Sequence, residues 1–127
     1  QLEIQKGNRE QQINYVLENN VLTENDKAYI RDVVDGVKNN LTIIDNQIST
    51  YAKDWKLYRI SKVDLSILRL SIYEMMFRTD IPPNVSINEA VELAKKYSGR
   101  EAGAFVNGIL GKVAANVENQ LNPSVDN

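Results

Sequence analysis

Lys53, Lys56, Arg59 and Lys62 recur every three residues, with Trp55 and Tyr58 between them. Cations interleaved with aromatic rings can track phosphates while the rings cover bases, so this stretch is a candidate nucleic-acid edge. The same pattern also fits aromatics that close one end of a helical core beneath solvated lysines. Spacing alone leaves both readings open. A second candidate is Phe105-Val106-Asn107-Gly108. Phe105 could stack on an unpaired base, a contact contributing ~1–3 kcal/mol, or it could belong to the apolar stripe beside it. Asn107 and Gly108 both lower helix propensity. They point to tight packing of two helices across Gly108, with Asn107 bonding a neighbouring backbone, or to close approach of a ligand. Arg69 is a single charge in an apolar stretch. Buried, it needs a carboxylate such as Glu74 or Asp80; emerging, it would present a cation to a partner.

Catalytic chemistry finds little to work with. The chain has no histidine and no cysteine, which removes the commonest general base, the commonest metal ligand, thiolate nucleophiles and disulfides together. Acid–base work would fall to Asp, Glu, Lys or Tyr. Glu89 and Glu92 lie three apart and could share a helix face, but a cap and a solvated side chain explain them as well. No metalloprotease, dinucleotide, phosphate-loop or calcium-loop pattern occurs. The expectation is a binding protein that carries out no reaction and holds no cofactor or metal.

The elements that must position these residues are helical throughout. From Ile30 the apolar positions run Val34, Val37, Leu41, Ile44, Ile48 and Tyr51, alternating steps of four and three. This predicts one long amphipathic helix, in spite of Gly36 within it. A shorter helix is predicted from Gln11 to Asn19, after the stub of an earlier one over residues 1–6. Ser61 with Asp64 three residues later has the form of a capping box. The helix it opens carries Val63, Leu65, Ile67, Leu68, Leu70, Ile72, Met75 and Met76, apolar nearly all round, and so is predicted to be central. Pro82-Pro83 stops any helix. Ser86 with Glu89 forms a second capping-box pattern opening a helix that Ser98-Gly99 ends. The last helix shows Phe105, Val106, Ile109, Leu110, Val113 and Val117 at helical spacing, and Pro123 marks a tail. Arg100 and Glu101 fall at the turn before it, where an acid also suits a helix's first turn.

A chain of 127 residues suits one domain with a genuine core. The expectation is therefore an all-α single-domain helical bundle over residues 1–127, with an N-terminal helical half (1–52), a C-terminal helical half (53–119) and a tail (120–127). No apolar run approaches the ~18 residues that span a bilayer, and no signal peptide opens the chain, so the cytoplasm is the expected compartment. Net charge is −2, which argues against a nucleic-acid binder at first sight. Its distribution matters more. Residues 1–50 carry five basic and eight acidic side chains, whereas residues 51–112 carry ten basic and seven acidic, a modestly basic middle.

Residues 63–113 contain three linked patterns: LRL-x-x-YE at Leu68, IP-x-x-V-x-INEAVELAK at Ile81, and FVNG-x-L at Phe105. Together they resemble the signature half of the NusB family, bacterial transcription-antitermination factors. The resemblance implies a small all-helical protein binding a short single-stranded RNA (boxA-type) together with the NusE-type small-subunit ribosomal protein, within the RNA polymerase antitermination complex. It implies RNA contacts at Arg69, Arg100, Glu101 and Phe105, and protein-partner contacts at Tyr58 and Asp64. The family opens its first helix with an arginine-rich stretch; this chain starts at Gln1-Leu2-Glu3, so the resemblance implies a truncated first helix. Two other roles fit the same resemblance: the accessory RNA-binding domain of a ribosomal-RNA cytosine methyltransferase, and a bundle that self-associates as a homodimer.

Overall fold

The structure is a computed structural model that describes residues 24–53 and 56–121. The predicted helix at 11–19, the stub at 1–6, Trp55 and Pro123 lie outside those residues. Five α-helices and one 3₁₀ turn are described: α1 (Glu24–Asn39), α2 (Leu41–Tyr51), the turn Leu57–Arg59, α3 (Lys62–Phe77), α4 (Pro83–Ser98) and α5 (Arg100–Leu121). No strand occurs among the described residues, so the protein is all-α as expected. The chain divides into two compact units, Gln1–Asp35 and Gly36–Asn127. In the first, the described residues are the opening turns of α1, where Lys27 pairs with Glu24.

The second unit holds the candidate site. Its core is built from Ile44 and Ile48 of α2, Leu68 and Ile72 of α3, Ala90 and Ala94 of α4, and Val106, Leu110 and Val113 of α5, all essentially solvent-free. Each set recurs at three- or four-residue steps, so each helix turns one stripe inward. Burying a large aliphatic side chain contributes ~1.5–3 kcal/mol. α3 touches α2, α4 and α5 and is the central helix, as its composition predicts. It is not apolar-covered all round, however. Val63, Leu70 and Phe77 stand 45%, 36% and 41% exposed, seven residues apart along one side.

Three local expectations need correction. The long helix predicted from Ile30 to Tyr51 is two helices, broken at Asn40. Asn40 leaves helical backbone geometry, with φ −118° and ψ 22°, and its side chain joins its own N–H on the Gly36 carbonyl, at 2.8 and 3.1 Å. Ser86 does not open α4. That helix starts three residues earlier at Pro83, with Pro82 as its cap, because a proline in the first turn forgoes an N–H that has no partner there. Ser86 is instead buried and donates to Glu74 Oε1 at 2.9 Å, and Glu89 is exposed. Lastly, Gly108 does not mark a close helix crossing. A Cβ there would meet nothing within 4 Å, and Asn107 is exposed beside it. The glycine at a true close approach is Gly36, where a Cβ would overlap the Tyr73 ring.

Candidate nucleic-acid interface

Two helix starts and one turn meet to form the main groove. Ser61 caps α3, its Oγ accepting from the Asp64 N–H at 3.1 Å. The reciprocal half of the capping box is missing: Asp64 does not close back on Ser61, and its Oδ1 is buried without a hydrogen-bond partner among the described residues. At the other wall, α4 ends at Ser98 and α5 begins at Arg100, with only Gly99 between them. Gly99 has φ 107°, a conformation costly for any residue with a Cβ. That abrupt turn brings the first two turns of α5 beside the start of α3.

The groove so formed has a volume of about 550 Å³ and is lined by Arg59, Ile60, Ser61, Asp64, Ser98, Glu101, Ala102 and Phe105. Asp64 is 9% exposed, Phe105 is half-buried, and Arg59 and Glu101 are exposed. Both carboxylates sit in the first turn of a helix, where the positive end of the macrodipole favours an anion. The groove thus offers two acceptors, one guanidinium and an aromatic side chain. It contains no His or Cys, and among the described residues no group of acidic side chains is arranged to hold a metal ion. Such a surface can bind; it has no nucleophile paired with a base.

The predicted site residues are divided by the fold. Glu101 and Phe105, expected at the RNA, share the groove with Asp64, expected at the protein partner. Tyr58 lies next to it in sequence on the 3₁₀ turn, 80% exposed. Arg100 is the first residue of α5, not part of a turn preceding it. It lines a separate groove of about 410 Å³ with Asn88, Glu92, Lys95, Gly103 and Asn107. Gly103 lies under the Lys95 stem: a Cβ there would come 2.7 Å from Lys95 Cγ, so that half-exposed side chain would have to shift.

Arg69 joins neither groove. Its Nε and Nη2 each donate to one oxygen of Asp45 at 2.8 Å, a two-pronged ion pair between α3 and α2. Neither expected partner is used: Glu74 accepts from Ser86, and Asp80 takes Arg78 at 3.3 Å. That bond from Arg78 is the main reason the Asp80 carboxyl titrates below its ordinary value. Arg59 was present in the basic series, but only the fold gives it a place in the groove wall. Asp45 was missed; its signal was an acid directly beside Ile44 in the inward stripe.

The NusB family's sequence pattern matches residues 1–115 of this chain. The transcription antitermination protein NusB of Acetivibrio thermocellus is 66% identical over 113 residues, covering 89% of this chain and 78% of that protein. The protein of the same description from Ruminiclostridium cellulolyticum is 57% identical over 114 residues, covering 90% of this chain and 79% of its own. Among solved structures, T. maritima NusB superposes with a TM-score of 0.71 at 45% identity, covering 73% of this chain and 66% of that one. A chain from a crystal structure of a plectonemic RNA supercoil gives a TM-score of 0.74 at 29% identity, covering 86% and 77%.

Proposed function

The chain belongs to the NusB family of transcription antitermination proteins, and on that premise we propose that it binds a boxA-type single-stranded RNA in the groove between α3 and α5 while a NusE-type ribosomal protein docks beside it. The observation that carries this is the meeting of Arg59, Asp64, Glu101 and Phe105 in one open groove. A single-stranded nucleotide presents a phosphate, a polar base edge and an aromatic face, and each has a counterpart there. The RNA-containing crystal from which one structural relative comes supports the same ligand class. Tyr58, 80% exposed on the adjoining turn, is large and amphipathic, the kind of side chain that anchors protein contacts. It is our candidate for the ribosomal-protein surface. Arg100 and Lys95, in the neighbouring groove, would extend the cationic track along the strand. The protein acts by assembling partners and catalyses nothing.

Fluorescence anisotropy with a labelled boxA-type RNA and a scrambled control tests this, with and without the ribosomal protein, over a salt series. Each phosphate contact should contribute ~0.7 to the slope of log affinity against log salt for a single strand. Phe105→Ala should weaken RNA binding, and Tyr58→Ala should weaken only capture of the ribosomal protein. Equal affinity for boxA-type and scrambled RNA, with both variants indistinguishable from the parent, would reject the assignment.

A further inference from the structure

The groove between α4 and α5 has no aromatic lining, so a base entering it would find no ring to stack on. Its polar groups are sorted along its length. Only Gly99 separates the two helices, which places Lys95 and Arg100 at the end by the turn. Asn88 and Asn107 stand about two helical turns, ~10 Å, farther along. Lys95 lies 3.5 Å from Glu92, whereas Arg100 has no ion pair among the described residues. Both asparagines are exposed, and neither makes a hydrogen bond among the described residues. Asn107 also disfavours the helix it sits in, and no packing across Gly108 offsets that.

Each end asks for a different group. Arg100 calls for an anion. An asparagine amide sets a donor beside an acceptor, so its complement is a group that both donates and accepts. Every nucleotide of an RNA strand carries the two together, a phosphate and a ribose 2′-hydroxyl; a DNA strand carries only the phosphate. Glu92, between the ends, repels a phosphate but can accept from a hydroxyl, which keeps the phosphate at Arg100 and the ribose beyond it. An acidic peptide offers a carboxylate and main-chain amides, and continuity decides against it. Glu101 and Ala102 line the first groove, and Arg100, Gly103 and Ala104 line this one, on opposite sides of the same turns of α5. A strand leaving the first groove reaches the second by crossing one helix, about 10–12 Å wide.

We infer that this groove holds the sugar–phosphate backbone of the RNA with its bases turned outward, Arg100 on a phosphate and Asn88 and Asn107 on ribose 2′-hydroxyls. It is where the chain tells RNA from DNA. This rests on the RNA reading above and adds to it a specificity for the sugar, separate from any contact with a base.

The experiment changes the sugar before it changes the protein. The boxA-type RNA is titrated against the whole chain, then the same sequence as 2′-deoxy strand with uracil retained, then strands with one 2′-deoxy position each. The full deoxy strand should bind about fivefold more weakly or worse, the worth of about one neutral hydrogen bond, and the single substitutions should trace the loss to one or two adjacent nucleotides. The double variant Asn88→Ala/Asn107→Ala, with a melt no lower than the parent because both side chains are exposed, should shrink that difference to within about twofold. Arg100→Gln should weaken both strands alike and lower the salt slope by ~0.7. Equal affinity of the parent for the ribose and deoxyribose strands overturns the inference, and leaves the RNA reading standing if boxA-type still outbinds scrambled RNA. A sugar preference that survives in the double variant puts the hydroxyl contact elsewhere and overturns it too. An acetylated peptide of alternating glutamate and alanine that shifts the Asn88 and Asn107 side-chain amide resonances without displacing RNA would mark the groove as a protein site, against the inference. Failure of every strand to bind would defeat the RNA reading itself, and this inference with it.

Discussion

Replacing Arg69 with methionine separates a strut from a ligand contact. The side chains of Arg69 and Asp45 are 24% and 19% exposed, and both bonds between them measure 2.8 Å. Exposed ion pairs contribute ~0–1 kcal/mol, whereas stranding one partner of a fully buried pair costs ~3–5 kcal/mol. This pair stands between those limits with ideal two-pronged geometry, so Arg69→Met should cost about 2 kcal/mol, chiefly by leaving Asp45 unpaired. For a cooperative unit of this size each kcal/mol moves the melting temperature by about 4–8 °C, so a fall of roughly 8–16 °C is expected. Melts followed by circular dichroism would measure it. Adding Asp45→Leu should restore much of the loss, since replacing both partners removes the stranded charge. RNA affinity measured well below the melt should be unchanged. An Arg69→Met protein melting within about 2 °C of the parent but binding RNA tenfold more weakly would refute the strut and return Arg69 to the RNA surface.

Other outcomes follow from the same geometry. Phe105→Ala should cost about 1–2 kcal/mol, less than the ~3–5 of a fully buried phenylalanine, because Phe105 is only half-buried beside solvent-free Val106 and Leu110; urea unfolding gives the stability and anisotropy the parallel loss of RNA affinity. Gly108→Ala should stabilise α5 by up to ~1 kcal/mol, since a Cβ there meets nothing, and a lowered melt would contradict the open space. Gly36→Ala should destabilise by ~1–3 kcal/mol despite the gain in helix propensity, because the added carbon overlaps the buried Tyr73 ring; an unchanged melt would show that the ring yields freely. Tyr58→Ala should leave the melt within ~0.5 kcal/mol of the parent, so any loss of ribosomal-protein capture in a pull-down reads the surface directly.

Periodic features were legible from the amino-acid types, and single-contact features were not. The apolar stripe of α5, the Ser61 cap and the Gly99 stop each depend on residues within one or two turns, and local rules govern them. The break at Asn40 is a change in one residue's backbone angles, with its side chain folded back on the Gly36 carbonyl, which the apolar pattern running across it conceals. The start of α4 was misplaced because Ser86 fits a cap equally well as a buried donor, and only Glu74, twelve residues back, decides between them. Arg69 could be seen to need a carboxylate, but choosing Asp45 requires knowing that α2 lies against α3. The groove itself was half visible. Phe105 and Glu101 share a short stretch, whereas bringing Asp64 and Arg59 to them is a property of the turn at Gly99.

That turn also determines how motion would reach the groove. α5 spans 22 residues, roughly 33 Å at ~1.5 Å per residue, and its first residue, Arg100, directly follows the Gly99 turn. A tilt of about 5° there would swing the far end by roughly 3 Å, yet move the Phe105 backbone, about 7.5 Å along, by less than ~1 Å. The groove sits at the fulcrum of its longest lever. A disturbance that tilted α5 about this turn would reach the groove attenuated, so the candidate surface would keep its shape while the opposite end of the helix bore the displacement.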